Sequence, residues 1–206
     1  MVFDTKRETK IENQFQQMYG ELNDIQKLIL ISETYQGDTV CLALKAKLED
    51  LNKNVWDAGI RLENYKTASE EFKKSDYYFE QKKIFNENQV TYLILLTQVN
   101  KKCHYTQPII SFFYQNSEDC KKCDDQSFVL SDVKNDLEGN VSIFSFDTDL
   151  NLSSVDILKK SFDVNELPCV IVNDNTFCGI QSKDFIMTKL CVNSTAASCI
   201  PYMSQE

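Results

Sequence analysis

Apolar residues recur along the first half of the chain at alternating steps of four and three. Ile11, Phe15, Met18, Leu22, Ile25 and Ile29 form one such series, and Leu44, Leu48, Leu51, Val55, Ala58, Leu62 and Tyr65 form a second. A third stretch is less regular, but Tyr78, Phe85, Tyr92 and Val99 fall seven apart. This spacing places one apolar stripe on each helix with a coiled-coil-like seam. It predicts three helices in antiparallel packing across residues 5–102. Gln36-Gly37-Asp38-Thr39 reads as a helix stop followed by a capped start, and the polar stretch between Tyr65 and Tyr77 as a turn. The stripes read as a packed core rather than a cofactor-binding face. Their other use is self-association, with the first helix pairing with its counterpart in a second chain to give a homodimer.

After Thr106-Gln107-Pro108 the pattern changes. Residues 109–114 are an apolar run of strand length. Residues 120–137 carry helical spacing through Phe128, Val129 and Val133. Residues 141–146 alternate as a strand, and residues 153–162 form a short helix with Val155, Ile157, Leu158 and Phe162 facing inward. Two strands, 169–172 and 176–180, fold as a hairpin around Asn173-Asp174-Asn175, and residues 182–191 make a last helix. The order strand, helix, strand, helix, strand, strand, helix predicts an α/β domain with a mixed central sheet flanked by helices. The expected organisation is a helical domain over 1–105, an α/β domain over 106–192 and a tail over 193–206.

Charge narrows the partners. The chain carries a net −9, which excludes nucleic acid because phosphate binding needs a basic face. Residues 1–105 hold 15 Lys and Arg against 16 Asp and Glu, whereas residues 106–206 hold 7 against 15. The acidic second half is either a solvated surface or one that meets basic partners.

Eight cysteines in 206 residues point to a disulfide-permissive compartment outside the cytosol. No segment approaches the roughly 18 apolar residues of a membrane helix, and residues 1–10 are too polar for a signal peptide. The sequence therefore reads as cytosolic, or as a soluble piece whose targeting segment or membrane anchor has been left off. Sequons at Asn140, Asn151 and Asn193 add little, since such triplets arise often by chance.

The chemistry-bearing feature is Cys120-Lys121-Lys122-Cys123. It follows an apolar strand by about six residues and opens a helix, where unsatisfied N–H groups and the helix dipole favour a thiolate. Cys120 is then the expected nucleophile, and Cys123, one turn further in, the resolving thiol. Lys121 and Lys122 lower the thiolate pKa; Glu118, Asp119, Asp124 and Asp125 oppose them, so the sign of the balance stays open. Glu118 is either a proton shuttle or a solvated surface carboxylate. Cys169 is either a third redox thiol or a small buried residue.

Helix lengths suggest one further pairing. With a turn near residue 71, Cys41 and Cys103 come to the same end of the second helical hairpin. A disulfide there would close its base; the alternative is two buried free thiols. A Cys191–Cys199 bond would pin the tail, against free thiols or a Cys178–Cys199 link. His104 is the only histidine and is read as structural or exposed. A zinc site would need Cys120, Cys123 and two distant thiols. No cofactor is expected, and no glycine-rich phosphate loop or Gly-x-Ser-x-Gly occurs.

From about residue 108 to 190 the chain resembles the thioredoxin fold. The likeness rests on IISFFYQ leading to Cys120-Lys-Lys-Cys123, on Leu167-Pro168-Cys169-Val170-Ile171-Val172, and on Gly179-Ile180-Gln181-Ser182. The resemblance implies that Pro168 is cis and docks the substrate backbone beside Cys120 and Cys123. The preceding helices make the whole similar to membrane-anchored thioredoxin-like proteins of archaea and bacteria. Two departures stand out. Asp119 occupies the place of the family's usual Trp, and Tyr114 the place of its buried Asp.

The expectation from sequence is thus an extracytoplasmic thiol–disulfide oxidoreductase, membrane-anchored in its full-length form, that oxidises or isomerises exported proteins and exchanges electrons with a redox partner protein. The alternative is a non-catalytic thioredoxin-like binding or scaffold module with structural disulfides.

Overall fold

The computed structural model describes residues 2–34, 38–68, 70–116, 120–192, 199 and 202. The chain divides into two compact units, Met1–Thr106 and Gln107–Glu206.

The first unit is helical: α1 (Val2–Thr34), α2 (Asp38–Ala68), the single turn α3 (Glu70–Lys73) and α4 (Asp76–Cys103). The stripes on α1 and α2 form the core, with Ile25, Leu44 and Leu51 wholly buried and Ile11, Phe15, Met18, Leu22, Leu48 and Val55 nearly so. Burying a Leu or Ile side chain contributes about 1.5–3 kcal/mol, which outweighs the modest intrinsic helicity of such polar helices. Phe15 of α1 stacks on Phe85 of α4 with centroids 5.8 Å apart. A Cβ at Gly59 of α2 would lie 3.1 Å from the same Phe85 ring, so close α2–α4 approach depends on glycine there. The Tyr92 hydroxyl donates to the Leu48 carbonyl at 3.2 Å.

Two expectations for this unit change. The stretch between Tyr65 and Tyr77 is not simply a turn: it holds α3, and α4 starts on a Ser75 cap whose side chain accepts from the Tyr78 N–H. Helix α4 also buries more than one stripe, because Asn86, Asn88, Gln89, Val90, Leu93, Leu95 and Leu96 are buried along with Tyr78, Phe85, Tyr92 and Val99. The Gln36-Gly37 stop lies outside the described residues.

The second unit runs β1 (Ile109–Tyr114), α5 (Lys121–Asp136), β2 (Ser142–Asp147), a 3-10 turn (Thr148–Leu150), α6 (Ser153–Ser161), β3 (Cys169–Val172), β4 (Asn175–Cys178) and α7 (Lys183–Leu190). The strands form one mixed sheet in the order β2-β1-β3-β4. β1 is parallel to β2 and antiparallel to β3, which pairs antiparallel with β4. The fold is therefore a helical region followed by a small mixed four-stranded sheet flanked by helices.

β1 and β3 are apolar almost throughout because the sheet is covered on both faces: Ile110, Phe113, Cys169 and Val170 are wholly buried. β2 alternates in sequence but not in exposure, since Ser142, Phe144 and Phe146 are wholly buried on one face and Ile143 is buried on the other, as is Val141 just before the strand. In α6 only Val155 is buried, while Ile157 is 64% exposed. Two residues advance a helix by about 200°, so Ile157 cannot share the inward face of Val155. Phe128 in α5 is likewise exposed, at 72%.

Candidate functional site

β1 ends at Tyr114, and the chain then returns to open α5 with Cys120 as N-cap. Asp149, in the turn after β2, holds the return segment: its carboxylate accepts from the Asn116 N–H at 2.8 Å and from the Gln115 amide at 3.2 Å. The Asn116 carbonyl in turn accepts from the Cys120 N–H at 2.9 Å. One turn into α5, Gln126 is wholly buried. Its amide pairs with the backbone of Gln181, accepting at 2.7 Å and donating at 3.3 Å. This couples α5 to the segment between β4 and α7.

Cys120 and Cys123 are bonded to each other, and the residues are 8% and 2% exposed. Lys121 and Lys122 are exposed; Glu118 lies outside the described residues. Pro168 is buried, follows a cis Leu167–Pro168 bond, and its carbonyl accepts from the Gly179 N–H at 2.8 Å. Cys169 is bonded to Cys178, directly opposite it in the β3–β4 register. Cys41 is joined to Cys103, and Cys191 to Cys199. No cysteine is free.

The pairing of Cys178 with Cys169 overturns the third-redox-thiol reading of Cys169 and the Cys178–Cys199 alternative, while Cys169 is wholly buried as the other reading had it. The signal was present in the sequence. A two-residue turn at Asn173-Asp174 sets Cys169 opposite Cys178, and opposed residues of an antiparallel pair lie within disulfide reach.

These pairings correct the expected activity. Exchange needs a thiolate to reach a disulfide sulfur, whichever partner carries each, so the reacting sulfurs must be accessible. Here the candidate nucleophile Cys120 and resolving Cys123 are joined and buried, and Cys169, the one candidate third thiol, is bonded elsewhere. The structure presents four closed cross-links and no dithiol, so the oxidoreductase reading, with its oxidant or isomerase work, does not stand. With both sulfurs bonded, Cys120 and Cys123 are also not thiolate ligands for zinc. Among the described residues no group of three or more His, Cys, Asp or Glu side chains is gathered as a metal site. His104 is exposed and ends α4 in the left-handed region at φ 49°.

Sequence reasoning missed Lys134. It is 6% exposed in α5 and donates to the carbonyls of Gly139 and Val141. These carbonyls belong to the turn that passes through Glu138 at φ 50° and Gly139 at φ 82°. Burial pushes its ammonium down to about 8, because desolvation disfavours the charged form. A lysine in the last turn of a helix followed by glycine is common, and nothing in its spacing marks it as buried.

Among the described residues no helix is long and apolar enough to cross a membrane. The described residues therefore supply no span of their own for the membrane-anchored, extracytoplasmic reading, which is corrected to that extent. No family model, curated protein or solved structure matches the chain. The resemblance to membrane-anchored thioredoxin-like proteins is corrected accordingly, and the architecture stands as a helical region joined to a mixed α/β unit.

Proposed function

We propose that this chain is a non-catalytic binding or scaffold module whose cysteines serve as structural cross-links. The observation that carries the reading is the closure of all eight cysteines into four disulfides, with the Cys120–Cys123 pair buried. Each bond ties segments within one unit: the base of the α2–α4 hairpin, the first turn of α5, the β3–β4 hairpin, and the end of α7 to Cys199. The order β2-β1-β3-β4 supports a scaffold of thioredoxin-like architecture, a statement about topology and not about kinship or redox work.

Thiol trapping with mass spectrometry across glutathione and dithiothreitol buffers tests this. Structural disulfides stay closed to below roughly −300 mV, and all four bonds are expected to do so. Reversible opening of Cys120–Cys123 between roughly −120 and −270 mV, the range of exchange proteins, would overturn the module reading.

A further inference from the structure

The outward face of α5 carries the most exposed large apolar side chain among the described residues, Phe128 at 72%. On a helix surface the neighbours of a residue are those three and four positions away. For Phe128 these are Asp124, Asp125, Ser131 and Asp132, three of them carboxylates. All three aspartates are exposed, and among the described residues none of them forms an ion pair within 4 Å, although Asp132 is near enough to Lys183 to attract its ammonium. Asp136, further along, is already paired with Lys183 at 2.6 Å.

Little in this arrangement serves the folding of α5. Aspartate is a poor residue for a helix interior. Asp124 and Asp125 gain something from the N-terminal dipole, but Asp132 stands in the C-terminal half, where the dipole disfavours an anion. An aromatic ring left in water contributes no burial. A phenylalanine ringed by carboxylates instead matches a guanidinium, which lies over an aromatic face while its N–H fork meets carboxylate oxygens. The surplus of carboxylates across residues 106–206, 15 Asp and Glu against 7 Lys and Arg, draws the same class of partner from a distance.

We propose that the face of α5 formed by Asp124, Asp125, Phe128 and Asp132 docks an arginine-bearing basic segment of a partner protein. This rests on the binding-module reading and gives that module its partner chemistry. Arginine is favoured over lysine because only its planar group both stacks on Phe128 and bridges adjacent carboxylates.

The test is fluorescence anisotropy of the full chain with a labelled twelve-residue peptide of alternating Arg and Ala, and with its Lys counterpart. The Arg peptide is expected to bind more tightly. Phe128→Ala, which leaves the charge unchanged, is expected to weaken it about fivefold, the size of an exposed cation–π contact. Asp124→Asn with Asp132→Asn is expected to weaken it further. Asp156→Asn with Asp174→Asn, an equal charge change on α6 and in the β3–β4 turn, should leave affinity within about twofold. Equal losses from the two double variants, or no effect of Phe128→Ala, would show diffuse attraction only and overturn the site. Running the titration in the redox buffers above, with thiol trapping, keeps the two proposals apart. Loss of site specificity with Cys120–Cys123 closed overturns the docking face alone, whereas a bond that cycles overturns the module reading whatever the peptide does.

Discussion

Replacing both Cys41 and Cys103 by alanine removes the longest cross-link in the chain, a sequence separation of 62. Both residues are only partly buried, so truncation removes little packing and the effect lies mainly in the unfolded chain. The loop-closure relation gives about 4 kcal/mol for this separation and about 2 kcal/mol for the Cys120–Cys123 loop. For a unit of about a hundred residues, 4 kcal/mol corresponds to a fall of roughly 15–30 °C in melting temperature. The assay is urea unfolding without reductant, followed by far-UV circular dichroism, in which α1, α2 and α4 dominate the helical signal. The double variant should unfold at lower urea with a steeper dependence, because its unfolded state is more expanded. A loss below about 1 kcal/mol, or an equal loss of helical stability from Cys120→Ala with Cys123→Ala, would refute the view that loop closure sets the value of these bonds.

Four further outcomes are expected. Gln126→Leu removes both bonds to the Gln181 backbone and should cost about 2–4 kcal/mol while speeding amide exchange at Gln181, because the N–H it satisfied is left unpaired. For Lys134, whose folded pKa falls to about 8, the unfolded chain binds more protons between that value and about 10.5, the ordinary lysine range. Stability from this group therefore rises with pH across that window by something on the order of 3 kcal/mol. The wild-type minus Lys134→Met difference, from denaturation midpoints at pH 7.5 to 10, should grow accordingly, and a flat difference would contradict the burial argument. Gly20→Ala, whose Cβ would meet nothing within 4 Å, should stabilise α1 by about 1 kcal/mol. Gly59→Val, pressed against Phe85, should destabilise by about 1–3 kcal/mol; melting temperatures of the pair check both.

What the sequence determined by itself is the part set by local repetition. The four-three spacing from Ile11 to Ile29 and from Leu44 to Leu62 names the buried stripe residue by residue, because helical period alone decides which side chains share a face. The same repetition fixes helix length, and with it the end of the hairpin at which Cys41 and Cys103 lie. The strand and helix order of the second unit was legible for a similar reason, since Asn173-Asp174 and Pro108 punctuate short apolar runs. What only the tertiary structure decided is what depends on neighbours distant in sequence. Burial of both faces of β2 comes from layers above and below it, so its alternation in sequence carried no exposure. The state of Cys120 and Cys123 was equally hidden: a Cys-x-x-Cys pair reads the same whether free or bonded, exposed or covered. Gln126 against Gln181 and Lys134 within its turn are polar residues at ordinary positions, marked as structural only once packing has removed the water around them.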